Sequence, residues 1–128
     1  MNPAAEFRDV RHRYDRKKPD EALKGVTFSV PEGRMFGLVG PDGAGKTTLL
    51  RALCHLHEPE KGEVFLFGQK VTLHSGLIRS HLGYLAQRFS LYGDLTVEEN
   101  ITFFGDLYGV TDALPRGRQL LGRMGMDK

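Results

Sequence analysis

Apolar residues in the first third of the chain fall at Phe7, Val10 and Tyr14 among charged neighbours. They return at Leu23 and through Val26-Thr27-Phe28-Ser29-Val30 after a polar turn at Pro19-Asp20. Short stretches of this kind, bounded by turn residues, predict strands of an antiparallel edge. The turn Pro31-Glu32-Gly33 leads into Met35-Phe36-Gly37-Leu38-Val39, a nearly continuous apolar run that predicts a strand buried on both faces. Beyond it, Leu49, Leu50, Leu53 and Leu56 recur at helical spacing. They predict an amphipathic helix from Lys46 to about His57, ended by Glu58-Pro59. The stretches Glu63-Val64-Phe65-Leu66-Phe67 and Leu82-Gly83-Tyr84-Leu85-Ala86 predict two further strands. Thr96-Val97-Glu98-Glu99 has the form of a capping box, in which the threonine hydroxyl and the third-position glutamate satisfy opposite backbone N–H groups. The helix it opens puts Val97, Ile101, Phe104 and Tyr108 on one apolar face. A last helix, interrupted by two glycines, is predicted from Asp112 or Pro115 to Met124. Strand, helix and strand in this order make a mixed α/β sheet.

A length of 128 residues suits one small domain or part of a larger one. With 40% hydrophobic and 27% charged residues and a net charge of +2, the composition is that of an ordinary globular chain and excludes disordered and fibrous classes. No nucleic-acid partner is implied. The basic cluster Arg11-His12-Arg13 to Arg16-Lys17-Lys18 is interleaved with acidic residues and reads as a solvated turn. The one cysteine, Cys54, excludes an internal disulfide, fits a reducing cytosol and reads as a small core residue. There is no apolar run of about 18 residues, and Met1-Asn2-Pro3-Ala4-Ala5-Glu6 lacks the basic-then-apolar form of a signal peptide. The expectation is a chain that neither spans a membrane nor is secreted. The five histidines have no metal-ligand spacing, and His55 and His57 are expected at the surface.

The chemistry concentrates in Gly40-Pro41-Asp42-Gly43-Ala44-Gly45-Lys46-Thr47-Thr48. A triphosphate carries dense negative charge, so its site needs several converging N–H donors, a cation and a metal ligand. Glycines at positions 40, 43 and 45 let the backbone curl and aim N–H groups inward. The helix that follows adds its positive end. Lys46 is spaced to reach the β- and γ-phosphates, Thr47 to ligate Mg2+ through its hydroxyl, and Thr48 to bond a phosphate nearer the sugar. The setting, between an apolar run and an amphipathic helix, is that of a P-loop.

Over essentially its whole length the chain resembles the ATPase subunits of ATP-binding cassette (ABC) transporters, and four segments carry the resemblance. Leu38 to Leu50 resembles that family's Walker A segment, with Asp42 where the family often has Asn. Glu58-Pro59-Glu60-Lys61-Gly62-Glu63-Val64 with Gly68 resembles its turn before a strand. Leu82-Gly83-Tyr84-Leu85-Ala86-Gln87-Arg88, followed by Leu91-Tyr92-Gly93-Asp94-Leu95-Thr96-Val97-Glu98-Glu99-Asn100, is similar to its Q-loop region. The resemblance implies an α/β P-loop NTPase (RecA-like) core with an antiparallel β edge and the start of a helical subdomain, an incomplete ABC nucleotide-binding domain. Residues 1–87 would supply the β edge and P-loop core, and 88–128 the Q-loop and the start of the helical subdomain. Lys46 and Gln87 become catalytic residues, Gln87 sensing Mg2+ and the attacking water, and Tyr14 becomes the platform stacked on adenine. ATP and Mg2+ are the implied cofactors. The implied partners are a second ABC ATPase domain and a transmembrane permease domain, the latter docking at Phe89, Leu91 and Tyr92. The implied location is cytoplasmic, peripheral on the inner face of the plasma membrane.

The family's later motifs, a signature rich in Ser and Gly, a Walker B strand ending in Asp-Glu and a switch histidine, have no counterpart here. Met1 reads as a natural start and the missing portion as C-terminal. Phosphoryl transfer relies on several charge-stabilising parts at once, so the chain is expected to bind ATP well and hydrolyse it poorly. The wording of the loop resembles exporters of drugs or small molecules. Two alternatives stay open: a non-catalytic nucleotide-binding or interaction module, and another P-loop kinase or GTPase, for which no lid, acceptor site or base-reading Asn-Lys-x-Asp is found.

Overall fold

The structure, a computed structural model, describes residues 3–15, 17–72, 76, 81–88 and 91–126. It divides into two compact units, Met1–Leu82 and Gly83–Lys128.

The first unit holds strands β1 (Ala5–His12) and β2 (Leu23–Val30), helix α1 (Lys46–Leu53), and strands β3 (Lys61–Leu66) and β4 (Gln69–Lys70). The four strands form one antiparallel sheet in the order β2-β1-β3-β4. Strand β1 buries Ala5, Phe7, Val10 and His12, although positions 7 and 10 of a regular strand point to opposite faces. A β-bulge resolves the conflict: pairing slips between Phe7 and Val10, and Asp9 has a φ of +46°. The extra residue turns the second half of the strand over and returns Val10 and His12 to the core face. Opposite the bulge stands Gly62, with a φ of +86°, where a Cβ would collide with the carbonyl oxygens of Arg8 and Asp9. Leu49 and Ala52 of α1 complete the core with Leu23, Val64, Leu66 and Val71.

Helix α1 stops four residues short of the predicted end. Leu56 N–H bonds back to the Arg51 carbonyl at 2.8 Å and His55 N–H to Ala52 at 3.1 Å, with His55 left-handed at a φ of +51°. These are the paired bonds of a Schellman cap, and they end the helix before Glu58-Pro59 is reached. Cys54, the capping residue, is half-buried rather than a core residue, and burial pushes its thiol pKa up.

Two predicted strands are not formed. Met35–Val39 is irregular and has no strand partner among the described residues, with Met35 at 103% and Val39 at 95% of full exposure. Apolar residues on both faces describe a strand with neighbours on both sides, and among the described residues no strand lies beside this one. Phe36 still stacks on Phe28, with ring centroids 5.7 Å apart. Phe36 and Leu38 flank an open apolar groove of about 300 Å³ that also takes in Phe7, Leu50, Leu53 and Phe67. Leu82–Ala86 is likewise irregular, with no strand partner among the described residues.

In the second unit, α2 (Val97–Tyr108) and α3 (Ala113–Arg123) pack against each other. The predicted capping box is present in full: Thr96 Oγ1 accepts from Glu99 N–H, and Glu99 Oε2 accepts from Thr96 N–H at 2.7 Å. The backbone bond from Thr96 is the first cause holding the Glu99 carboxyl below its usual pKa. Ile101 packs on α3 at Gly117, where a Cβ would lie 2.7 Å from Ile101 Cδ1. One of the glycines that interrupts the pattern is therefore a packing requirement. Of the predicted apolar face, Ile101 and Phe104 are half-buried, whereas Val97 and Tyr108 are exposed. No helix among the described residues is long and apolar enough to cross a membrane.

Candidate functional site

The glycine loop lies between the apolar run ending at Val39 and the first turn of α1, with Gly40 to Ala44 exposed. Ala44 N–H closes a turn on the Pro41 carbonyl at 3.2 Å. Gly45 takes a φ of +92° at the helix N-cap position, and a Cβ there would collide with the Ala22 carbonyl oxygen and lie 2.9 Å from Leu23 Cδ2. Glycine at 45 thus serves both the turn and the close approach of the loop to the start of β2.

The N-terminus of α1 has no side-chain cap and no acidic residue in its first turn. Among the described residues, the N–H groups of Lys46, Thr47 and Thr48 find no protein acceptor, the state in which a helix end favours an anion. Lys46 Nζ donates to the carbonyl oxygens of Gly40 and Pro41, each at 2.7 Å. An ammonium carries three donors, so the lysine staples the loop with two and keeps one for an outside acceptor. The Thr47 side chain is exposed beside that point, whereas Thr48 is buried at 5% exposure. The chemistry gathered here, a cation, clustered N–H donors and a neutral hydroxyl in a glycine turn, suits a polyphosphate with a hard metal ion.

Tyr14 lies beside this loop. Its hydroxyl and Thr48 Oγ1 share a 2.9 Å hydrogen bond, while the ring stays 63% exposed. Behind it stand two histidines that the sequence reading did not connect with the site. His12 and His57 stack with ring centroids 4.0 Å apart and 17° between planes, and Tyr14 meets His12 edge-on at 5.0 Å. His57 was expected at the surface with His55; both are half-buried, and His57 Nε2 bonds the Thr48 carbonyl at 2.9 Å. The Schellman turn at His55 swings the chain back under α1 and carries His57 inward. Burial is the main cause holding the His57 pKa below its ordinary value, with the neighbouring His12 and Arg51 acting in the same direction. The available signal was His12 itself, at the inward phase of β1 two residues before Tyr14.

Gln87 and the sequence-predicted docking residues Leu91 and Tyr92 belong to the second unit. Gln87 is exposed in irregular chain, and Phe89 lies outside the described residues. Tyr92 is half exposed, packs edge-on against Phe103 at 5.0 Å, and is held by Asn100. The Asn100 amide, buried at 5% exposure, accepts from Tyr92 N–H and donates towards the carbonyls of Tyr92, Leu95 and Thr96. Asparagine inside a helix is a poor helix former, and its place four residues past the Thr96 cap was the clue to this role.

A family described as "ABC transporter" matches residues 23–128. The probable multidrug ABC transporter ATP-binding protein YbhF of Escherichia coli (strain K12) is 49% identical over 85 residues, which are 66% of this chain and 15% of that protein. The chain therefore spans a small part of this relative's length. A solved ATP-binding subunit of an ABC transporter is 29% identical, with a TM-score of 0.78 over 97% of this chain and 51% of its own. A dimeric ATP-binding cassette in a post-hydrolysis state, bound to ADP and Pi, is also 29% identical, with a TM-score of 0.65 over 76% of this chain and 44% of its own.

Proposed function

This chain belongs to the ABC transporter family, and from that premise we propose that it supplies the P-loop half of an ATP site in the ATP-binding subunit of an exporter. The observation that carries the reading is the loop Gly40–Thr48, stapled by Lys46 and opening onto the uncapped N–H groups of α1. In this reading Gly40, Pro41, Asp42, Gly43, Ala44 and Gly45 wrap the phosphates with backbone N–H groups. The third donor of Lys46 meets the β- and γ-phosphates, Thr48 lies towards the sugar, and Tyr14 stacks on adenine. The exposed hydroxyl of Thr47 holds Mg2+, which when bound offsets the phosphate charge, and Gln87 acts on the metal and the attacking water.

The named relatives support the remaining roles. A dimeric cassette with ADP and Pi supports a second ABC ATPase domain as partner, and a multidrug transporter ATP-binding protein supports an export role. A transmembrane permease docks at Phe89, Leu91 and Tyr92, which places the chain on the cytoplasmic face of the plasma membrane. Residues 1–87 form the β edge and P-loop core, and residues 88–128 the Q-loop and helical start. Hydrolysis by this chain alone is slow, because its sequence has no Walker B carboxylate pair to polarise water.

Thermal melting of the full chain with and without Mg-ATP tests the reading. Ligand at a hundred times its dissociation constant adds about 2.7 kcal/mol, and Lys46→Ala removes the shift. A melting curve unmoved by Mg-ATP would refute the site. Fast turnover that Lys46→Ala abolishes would refute the slow hydrolysis.

A further inference from the structure

Tyr14 is unusual for an exposed aromatic, because both ends of its side chain are fixed. The hydroxyl is held by Thr48 Oγ1 at 2.9 Å, and the ring packs perpendicular to the His12 imidazole, centroids 5.0 Å apart and planes at 89°. His12 is itself held by the parallel ring of His57 at 4.0 Å, and His57 is anchored through Nε2 on the carbonyl of Thr48. The chain of contacts starts and ends on one residue of the first turn of α1. It leaves the Nδ1 atoms of both histidines buried with no hydrogen-bond partner among the described residues. Orphaned buried nitrogens are costly and call for an explanation. A pair retained at that cost, within the site and under an exposed ring, fits a role in fixing that ring's direction.

We infer that His12 and His57 are positioning residues that pre-orient Tyr14 as a platform for the planar base of a nucleotide whose triphosphate sits on Gly40–Thr48. The inference rests on the reading of that loop as a triphosphate site. An aromatic ring on a mobile surface segment loses rotamer freedom when a base stacks on it, and a ring already held in place avoids that loss. The pair therefore acts on the nucleoside and leaves the phosphates alone. Parallel imidazoles at 4.0 Å repel one another when both are charged, and burial, together with His12, shifts the His57 pKa downward, disfavouring charge on that ring.

Calorimetric titration of the full chain with Mg-ATP, and separately with magnesium tripolyphosphate, which has no base, tests this. For His12→Ala, and for His57→Gln, which keeps a donor for Thr48 but removes the ring, ATP affinity falls roughly three- to tenfold, the range of a lost aromatic contact. Tripolyphosphate affinity stays within about twofold of the parent, which also certifies that the loop is folded. His57→Phe, which keeps the stack, retains most of the ATP affinity. In a Tyr14→Ala background His12→Ala has no further effect on ATP, because the residue acts through Tyr14. Equal loss of both ligands in all three variants, unchanged ATP affinity in His12→Ala and His57→Gln, or additive losses in the double variant would overturn the inference. A parent that binds neither ligand would instead overturn the triphosphate site and remove the basis of the pair's role.

Discussion

Alanine at Gly45 and at Gly43 separates two kinds of cost that coincide at the phosphate loop. Both glycines have positive φ, +92° and +79°. At each, a Cβ in this region costs roughly 1–2 kcal/mol, less about 0.4–1 kcal/mol regained because alanine restricts the unfolded chain. Gly43 has nothing within 4 Å of the new methyl, so the net destabilisation there is about 1 kcal/mol. Gly45 has the Ala22 carbonyl oxygen in collision and Leu23 Cδ2 at 2.9 Å. The loop must move off β2, as in an overpacked core, which adds roughly 1–3 kcal/mol. In thermal denaturation followed by circular dichroism, Gly43→Ala lowers Tm by about 3–5 °C and Gly45→Ala by about 7–15 °C. Equal shifts would mean that the contact with Ala22 does not constrain the loop, and the reasoning about Gly45 would fail.

Asn100→Leu removes the amide that holds the turn before α2 and leaves the Tyr92 N–H unpaired. It destabilises the second unit by about 2–4 kcal/mol, and hydrogen exchange at Tyr92 N–H rises more than at amides in the middle of α3. Because His57 has a folded pKa below its unfolded one, the unfolded chain binds more protons as pH falls. The stability tied to His57 is complete above about pH 6.5 and declines below it. Urea midpoints measured from pH 7 to pH 5 fall in the parent and fall less in His57→Phe. An identical slope in both removes His57 as the cause.

The glycine loop proposed to hold phosphate stands out in the sequence because its chemistry is local. Glycine, lysine and threonine at fixed spacing need only their own backbone and the helix that follows. The capping box at Thr96 was legible for the same reason. What the pattern of apolar residues did not reveal is which neighbour is present. Met35–Val39 is composed for burial on both faces, yet among the described residues no strand pairs with it, because composition records the environment a segment suits and not the strands beside it. The bulge at Asp9 is equally silent, since one extra residue changes facing without changing residue type. His57 was misplaced because two long-range facts set its position. One is a Schellman turn that uses histidine where glycine is usual, and the other is a stacking partner 45 positions earlier in the chain. Cooperation of His12, Tyr14, Thr48 and His57 arises only when β1 and α1 are brought together.

The run Met35–Val39, with no strand beside it among the described residues, bears on the glycine loop that follows it. Among the described residues these five uncharged positions have no strand partner and lie beside an apolar groove, a surface suited to pairing with a further strand. Because the run passes without a break into Gly40, whatever strand pairs with it also anchors one end of the phosphate loop. With the loop binding nucleotide as proposed, pairing at this edge and nucleotide affinity would be thermodynamically linked. A partner that stiffens the run raises the population of a well-formed loop, and bound nucleotide raises the affinity for that partner by the same factor.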